Sequence, residues 1–102
     1  PRVHRVVCAA DCGTVVNPAI VAQQMEGGIL FGLSAALHGR IDIVDGTVQQ
    51  KNYPDQPLLR LADAPAIEVD LLPSEHPPAG VGEPGTPPVA PAVANALFAL
   101  TG

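Results

Sequence analysis

The sequence predicts an α+β fold that consists of a small mixed or antiparallel sheet, a long glycine-containing helix and a C-terminal helix. Three features of the sequence support this prediction. A β-branched run near the start (VHRVVC, residues 3–8) is typical of a strand, and a long apolar segment with helix-capping signals follows it. The Asp45-Gly46 pair then predicts a hairpin. This mixed order favours α+β over a doubly wound parallel sheet. At 102 residues the chain is predicted to be a single domain, residues 1–102.

The long helix has a well-defined start and end in the sequence. Asn17 is a favourable N-cap, and Pro18 lies at the first helical position, where its missing N–H has no helical partner to lose. Gly39 suits the position just beyond the last turn. The capping residues therefore predict a helix of about five or six turns between residues 18 and 38.

Three glycines interrupt this helix, at positions 27, 28 and 32, and each costs about 1 kcal/mol relative to alanine. Gly28, Gly32 and Ala36 recur at every fourth position, so they share one face of the helix. That spacing favours close packing of another backbone, and the approach of a ligand is the alternative. Gln24 lies on the same face, either as a solvated side chain or as an amide that orients a ligand.

The remaining regular segments are a hairpin, a strand and a second helix. Residues 40–52 predict a hairpin whose Asp-Gly turn prefers the type I′ conformation. Residues 66–72 (AIEVDLL) alternate strictly, which predicts a half-exposed antiparallel strand with its two acidic side chains in solvent. Residues 89–102 show helical spacing, with a proline in the first turn, where proline is tolerated.

The charged and sulfur-containing residues exclude some classes of function. The net charge is −5 and only five residues are Lys or Arg, so the chain has no basic stripe and nucleic acid is not expected as a partner. Cys8 and Cys12 are spaced like metal ligands and His4 lies nearby, but a zinc site needs four clustered ligands. We therefore expect two small, buried, reduced cysteines and no metal ligands among the residues of this chain.

The loop GVGEPGTPP (residues 80–88) holds one carboxylate, Glu83, between glycines and prolines, and it has three interpretations. The spacing matches the dinucleotide-binding pattern G-x-G-x-x-G, but prolines remove backbone donors and no strand leads directly into the loop, so this interpretation is rejected. The loop is otherwise a stiff surface segment with an incidental acid, or a rigid mount for a general base. The residues alone leave these two alternatives open.

Two segments together resemble a known family. The segment DCGTVVNPAIVAQQMEGGILFGLSAAL (11–37), followed by GVGEPGTPPVAPAVANALFAL (80–100), resembles the C-terminal end of the large, molybdopterin-binding subunit of the xanthine dehydrogenase/aldehyde oxidase family. Within that family the sequence is most similar to the branch of isoquinoline 1-oxidoreductase β subunits and related aldehyde dehydrogenases. The resemblance covers nearly the whole chain, and two separate motifs in the right order make it specific.

The resemblance implies roles for four residues. Members of this family hydroxylate an N-heterocycle or an aldehyde with oxygen derived from water. Glu83 matches the glutamate of the G-x-G-E-P motif, which acts as the catalytic base. Gln24 matches a glutamine that hydrogen-bonds the molybdopterin cofactor, which makes the ligand role the favoured one for that helix face. Gly80 and Gly82 would let the loop pass beside the molybdenum centre as further cofactor-binding residues.

The resemblance also implies partners that the chain does not encode. The cofactor would be molybdopterin in its cytosine dinucleotide form, and [2Fe–2S] clusters would lie on a small partner subunit. We expect the 102 residues to be a fragment that, isolated from the remainder of the large subunit, binds no cofactor, is inactive and self-associates. The alternative is a free-standing α+β interaction module with no catalytic role. The sequence leaves bacterial cytoplasm and periplasm equally open.

Overall fold

The predicted α+β class is confirmed by the structure, a computed structural model that describes residues 1–102. Two helices accompany two separate two-stranded sheets, and two short 3₁₀ turns lie in the connection that follows the hairpin. The elements are, in chain order, β1 (Arg5–Ala10), α1 (Pro18–His38), β2 (Ile43–Val44), β3 (Thr47–Val48), 3₁₀ turns at Tyr53–Asp55 and Leu61–Asp63, β4 (Ala66–Leu71) and α2 (Val89–Thr101).

The strand β4 pairs with β1 in parallel, so the prediction of an antiparallel strand is wrong. The register runs from Arg5 opposite Ala66 to Ala10 opposite Leu71. The whole of α1 and the hairpin lie between the two strands, which provides the long crossover that a parallel pair requires. The alternation of β4 reflects burial of one face only, and such a pattern carries no information about strand direction. The strand β1 also lies two residues later than predicted.

One of the two acidic side chains on β4 is paired rather than simply solvated. Arg5 on β1 donates from Nε to Glu68 Oε1 at 2.6 Å and from Nη2 to Oε2 at 2.8 Å, and both side chains are exposed. The hydrogen bonds from Arg5, followed by its charge, hold the pKa of Glu68 below its usual range. Because the pair is exposed, it contributes little to stability. Asp70, the other acid on this strand, is exposed, as predicted.

The ends of α1 follow the capping signals closely. The Asn17 side chain accepts a hydrogen bond from the Ile20 N–H at 3.2 Å, and Pro18 is the first helical residue, as predicted. Gly39 ends the helix, with its N–H bonded to the Ala35 carbonyl, but its φ of −64° is not the left-handed conformation that favours glycine. In the hairpin, Asp45 (φ 48°) and Gly46 (φ 73°) both have positive φ, as a type I′ turn requires.

The core is small and lies between α1, the β1–β4 sheet and the start of α2. Its centre consists of Ile29, Leu33 and Val89. Cys12 is buried and Cys8 half-buried, and both thiols are free. By length and composition α1 could cross a membrane, although the stretch within it without charged or amide side chains, residues 27–37, is shorter. Its buried residues Ile29 and Leu33 form part of this core.

Candidate functional site

An open cleft of about 610 Å³ lies between α1 and the loop of residues 80–88, which we call the base loop. Three of the four residues with predicted roles line it: Gln24 on the helix side, and Gly82 and Glu83 on the loop side. Gly80, the fourth, is not among the lining residues. The complete lining is Gln23, Gln24, Gly27, Gly28 and Phe31 from α1, with Gly82, Glu83, Thr86 and Pro87 from the base loop.

On its helix side the cleft is lined by exposed backbone at two glycines and by the side chains of two glutamines and one phenylalanine. Gln23, Gly27 and Phe31 follow one another at four-residue intervals, so they lie on one face of α1. A Cβ atom on Gly27 would have no neighbour within 4 Å, so the cleft is open above it. The side-chain amides of Gln23 and Gln24 are exposed and make no hydrogen bond within the chain. Both amides are therefore free to bind a ligand.

The close packing predicted from the glycine spacing is confirmed at two of the three positions. A Cβ on Gly28 would lie 3.3 Å from Gly85 Cα and from Thr86 Oγ1. A Cβ on Gly32 would lie 2.9 Å from the Thr86 carbonyl oxygen and 2.9 Å from Val89 Cγ2. Ala36 is exposed and takes no part. The same helix therefore packs against the base loop through Gly28 and Gly32 and presents Gln24 to the cleft.

The base loop is attached to α1 through Gly85 and Thr86, which follow Glu83 in the chain. Gly85 is buried, and a Cβ there would lie 2.8 Å from the Met25 carbonyl oxygen. The Thr86 hydroxyl donates to the Gly28 carbonyl at 3.1 Å, and the Thr86 N–H donates to the Glu83 carbonyl at 2.9 Å. The Glu83 side chain is exposed and makes no hydrogen bond or ion pair. The loop thus fixes the backbone of Glu83 while leaving its carboxylate available.

The comparisons with known proteins define the class to which this chain belongs. The model of the molybdopterin cofactor-binding domain matches residues 1–65. The chain is 45% identical over 100 residues to isoquinoline 1-oxidoreductase subunit beta of Brevundimonas diminuta, covering 98% of this chain. The chain therefore belongs to the molybdopterin cofactor-binding family, and the resemblance drawn from the two motifs is confirmed.

A second sequence relative and one solved structure are also similar to this chain. The chain is 41% identical over 99 residues, 97% of its length, to the membrane-bound aldehyde dehydrogenase of Gluconacetobacter polyoxogenes, whose name gives pyrroloquinoline quinone. CO dehydrogenase from Oligotropha carboxidovorans superposes with a TM-score of 0.83 at 29% identity over 95% of this chain. The chain spans 13% of the length of each of these three relatives. Its predicted location at their C-terminal end stays a prediction.

The donor set of the cleft fits part of a molybdopterin cofactor. Gly27 and Gly82 have open space where a side chain would project, so a planar group has room to lie against bare backbone. The polar side chains available to a ligand are the two neutral amides of Gln23 and Gln24 and the Glu83 carboxylate, since the Thr86 hydroxyl already donates to the Gly28 carbonyl, and the lining has no Lys or Arg. Such groups suit the hydrogen-bonding ring or the oxygen ligands of the cofactor better than its negatively charged phosphate.

Several lining residues were missed when the sequence was considered alone. Gln23 and Phe31 share the four-residue spacing with Gly27, and extending the glycine pattern by one turn in each direction would have identified them. Thr86 and Pro87 are part of the quoted loop motif, but nothing in the sequence says that the Thr86 side chain turns toward α1. That orientation depends on the contact between Gly28 and Gly85, which only the fold brings together.

Proposed function

We propose that this chain is the C-terminal part of a molybdenum hydroxylase large subunit, in which it supplies the catalytic base, Glu83, and a cofactor contact, Gln24. The observation that carries the proposal is that these two residues, distant in sequence, line the same cleft. Family membership supports the cofactor, since the matched domain is described as binding molybdopterin.

In this proposal each residue has a separate task. When bound, the cofactor would supply a metal centre suited to acidifying water-derived oxygen and to accepting the electrons of substrate oxidation. The Glu83 carboxylate would act as the base that takes up a proton at the reacting oxygen. The Gln24 amide holds the cofactor in orientation by a hydrogen bond. Gly82 has no side chain, so the loop backbone can pass close beside the cofactor. Gly80 lies outside the cleft lining and would let the preceding part of the loop approach in the same way.

The proposal also includes a substrate class, a partner subunit and a form of the cofactor. We assign an N-heterocycle of the isoquinoline kind or an aldehyde as substrate, supported by the names of the two relatives at 45% and 41% identity. The first of these is a β subunit, which supports a separate partner subunit, and the proposal places [2Fe–2S] clusters there. The cofactor is assigned its cytosine dinucleotide form by the family resemblance alone.

The proposal that residues 1–102 are one part of a larger subunit is supported by their surface. Only 8 of the 102 residues are buried, and large apolar side chains such as Phe31, Leu61, Phe98 and Leu100 are at least 70% exposed. Surfaces of this kind are normally covered by other protein. We therefore propose that the remainder of the subunit covers them, and that the isolated chain self-associates, binds no cofactor and is inactive. No observation favours a free-standing interaction module.

The cofactor contact is tested with Gln24→Ala in the complete enzyme. We expect the wild type to contain molybdenum and to oxidise a member of a panel of aldehydes and N-heterocycles with ¹⁸O from labelled water. The variant loses a hydrogen bond that orients the cofactor, so its molybdenum content should fall on the order of tenfold, the size of effect seen for supporting ligand contacts.

The control is Gln49→Ala, which removes an exposed glutamine of the hairpin that lies outside the cleft. Its molybdenum content should match the wild type. A wild-type enzyme without molybdenum, or product oxygen that comes from O₂, would refute the proposed function. Full molybdenum occupancy in Gln24→Ala would refute the role of that residue.

A further inference from the structure

We infer that Thr86 is a positioning residue that anchors the base loop to α1 and thereby aims the Glu83 carboxylate into the cleft. The inference rests on the proposed function of Glu83 and adds a residue to which neither the family resemblance nor the comparisons give a role. Thr86 lines the cleft, but its hydroxyl is directed at the helix backbone.

The Thr86 hydroxyl makes the hydrogen bond that joins the base loop to α1. Its Oγ1 donates to the Gly28 carbonyl at 3.1 Å in a partly buried setting, and no backbone hydrogen bond connects the loop with the helix. The hydroxyl lies close to position 28, where an added Cβ would be 3.3 Å from Thr86 Oγ1 and would require a small shift of the loop. Without the hydroxyl, the loop would be held to the helix by van der Waals contact alone.

This anchor is transmitted to Glu83 through a tight turn. The Thr86 N–H closes the turn on the Glu83 carbonyl at 2.9 Å, and the Val89 N–H bonds the Thr86 carbonyl at 3.3 Å where α2 begins. Pro84 and Pro87 fix φ at two of the positions beside Thr86 and Glu83. The backbone of Glu83 therefore has little freedom of its own relative to Thr86, and movement of one requires movement of the other.

A base must be held close to the reacting atoms, because a displacement of about 1 Å can cost on the order of a hundredfold in rate. Loss of one anchoring hydrogen bond should shift the loop by less than this, since the Gly85 contact with α1 remains. We therefore expect an intermediate effect, about tenfold on the chemical step. Substrate binding should change little, because no group that touches the substrate is removed.

The test compares Thr86→Val with Thr86→Ser in the complete holoenzyme. Valine keeps the shape of threonine and removes the hydroxyl donor, whereas serine keeps the donor. In Thr86→Val we expect kcat to fall about tenfold, with KM and molybdenum content within about twofold of wild type. Amide hydrogen exchange in a peptide spanning residues 80–88 should become faster. Thr86→Ser should restore both kcat and the slow exchange, which a purely steric role would not require.

The matched control is Thr101→Val, which removes another hydroxyl-to-carbonyl bond, from Thr101 Oγ1 to the Leu97 carbonyl at 3.0 Å near the end of α2. It should leave kcat and exchange at residues 80–88 unchanged. If Thr86→Val fails to assemble, the smaller Thr86→Ala gives the same comparison with Thr86→Ser.

Hydrogen exchange and turnover together distinguish the positioning role of Thr86 from the role of Glu83 as the base. Wild-type exchange and kcat in Thr86→Val, or no recovery in Thr86→Ser, would overturn the positioning role. Faster exchange in Thr86→Val, with Glu83→Gln fully active, would overturn the role proposed for Glu83 and support the anchor, since the exchange measurement does not depend on catalysis.

Discussion

Glu83→Gln in the complete enzyme is expected to lower kcat by about 10²- to 10⁴-fold while the molybdenum content stays at the wild-type level. The range is that of general base catalysis by a positioned side chain. Glutamine keeps the size and planarity of the side chain and removes its ability to take up a proton. Because the Glu83 side chain makes no hydrogen bond or ion pair within the chain, the substitution breaks no structural contact and leaves the backbone bond from Thr86 in place. Steady-state turnover beside metal analysis of the same preparation measures the effect.

The control for this substitution is Glu75→Gln, which changes another exposed glutamate in the segment before the base loop and outside the cleft. It should leave kcat unchanged. Equal turnover by Glu83→Gln and the wild type would show that the base loop is structural. The family-based role would then be wrong at its central residue.

The second large effect concerns stability, where Gly32→Ala and Gly27→Ala should act in opposite directions. A Cβ at position 32 would lie 2.9 Å from the Thr86 carbonyl oxygen and 3.0 Å from Val89 Cβ, so the loop and the start of α2 must move. Overpacking of this kind costs about 1–3 kcal/mol. A Cβ at position 27 meets nothing within 4 Å, and replacing this helical glycine should stabilise the protein by up to about 1 kcal/mol.

Urea unfolding measures the change in the free energy of unfolding for both variants. The molybdenum-free protein is used because the new methyl group at position 27 could otherwise contact the cofactor. The two variants have the same composition and lie in the same helix, so their difference isolates the packing against the base loop. Equal stabilisation by both substitutions would mean that the loop does not lie against α1 at position 32.

The helices and the hairpin were predictable because their signals are local. The bonds of the Asn17 cap and the positive φ angles of Asp45 and Gly46 arise among neighbouring residues, so the sequence pattern carries them directly. The direction of β4 was predicted wrongly because it depends on the path of α1 and the hairpin between the two strands. Alternation of apolar and polar residues reports which face is buried, and it is the same in parallel and antiparallel strands with one exposed face.

The candidate site was predictable in part. Spacing in α1 identified the face that carries Gly28 and Gly32, and the family resemblance identified Gln24 and Glu83. That Gln24 and Glu83 line one cleft follows from the close contact of Gly28 with Gly85, which is a tertiary contact with no local signal. The orientation of the Thr86 hydroxyl toward the Gly28 carbonyl has the same origin. Gly80 was expected at the site because it belongs to the loop motif, but the loop turns toward the cleft only at Gly82.

The most direct test of the account is a crystal structure of the complete enzyme with its cofactor bound. We expect the cofactor to lie in the cleft between α1 and the base loop, with the Gln24 amide within hydrogen-bond distance of it, about 2.7–3.2 Å, and with the Glu83 carboxylate facing the molybdenum. A cofactor bound elsewhere, with this cleft filled by other parts of the protein, would contradict it.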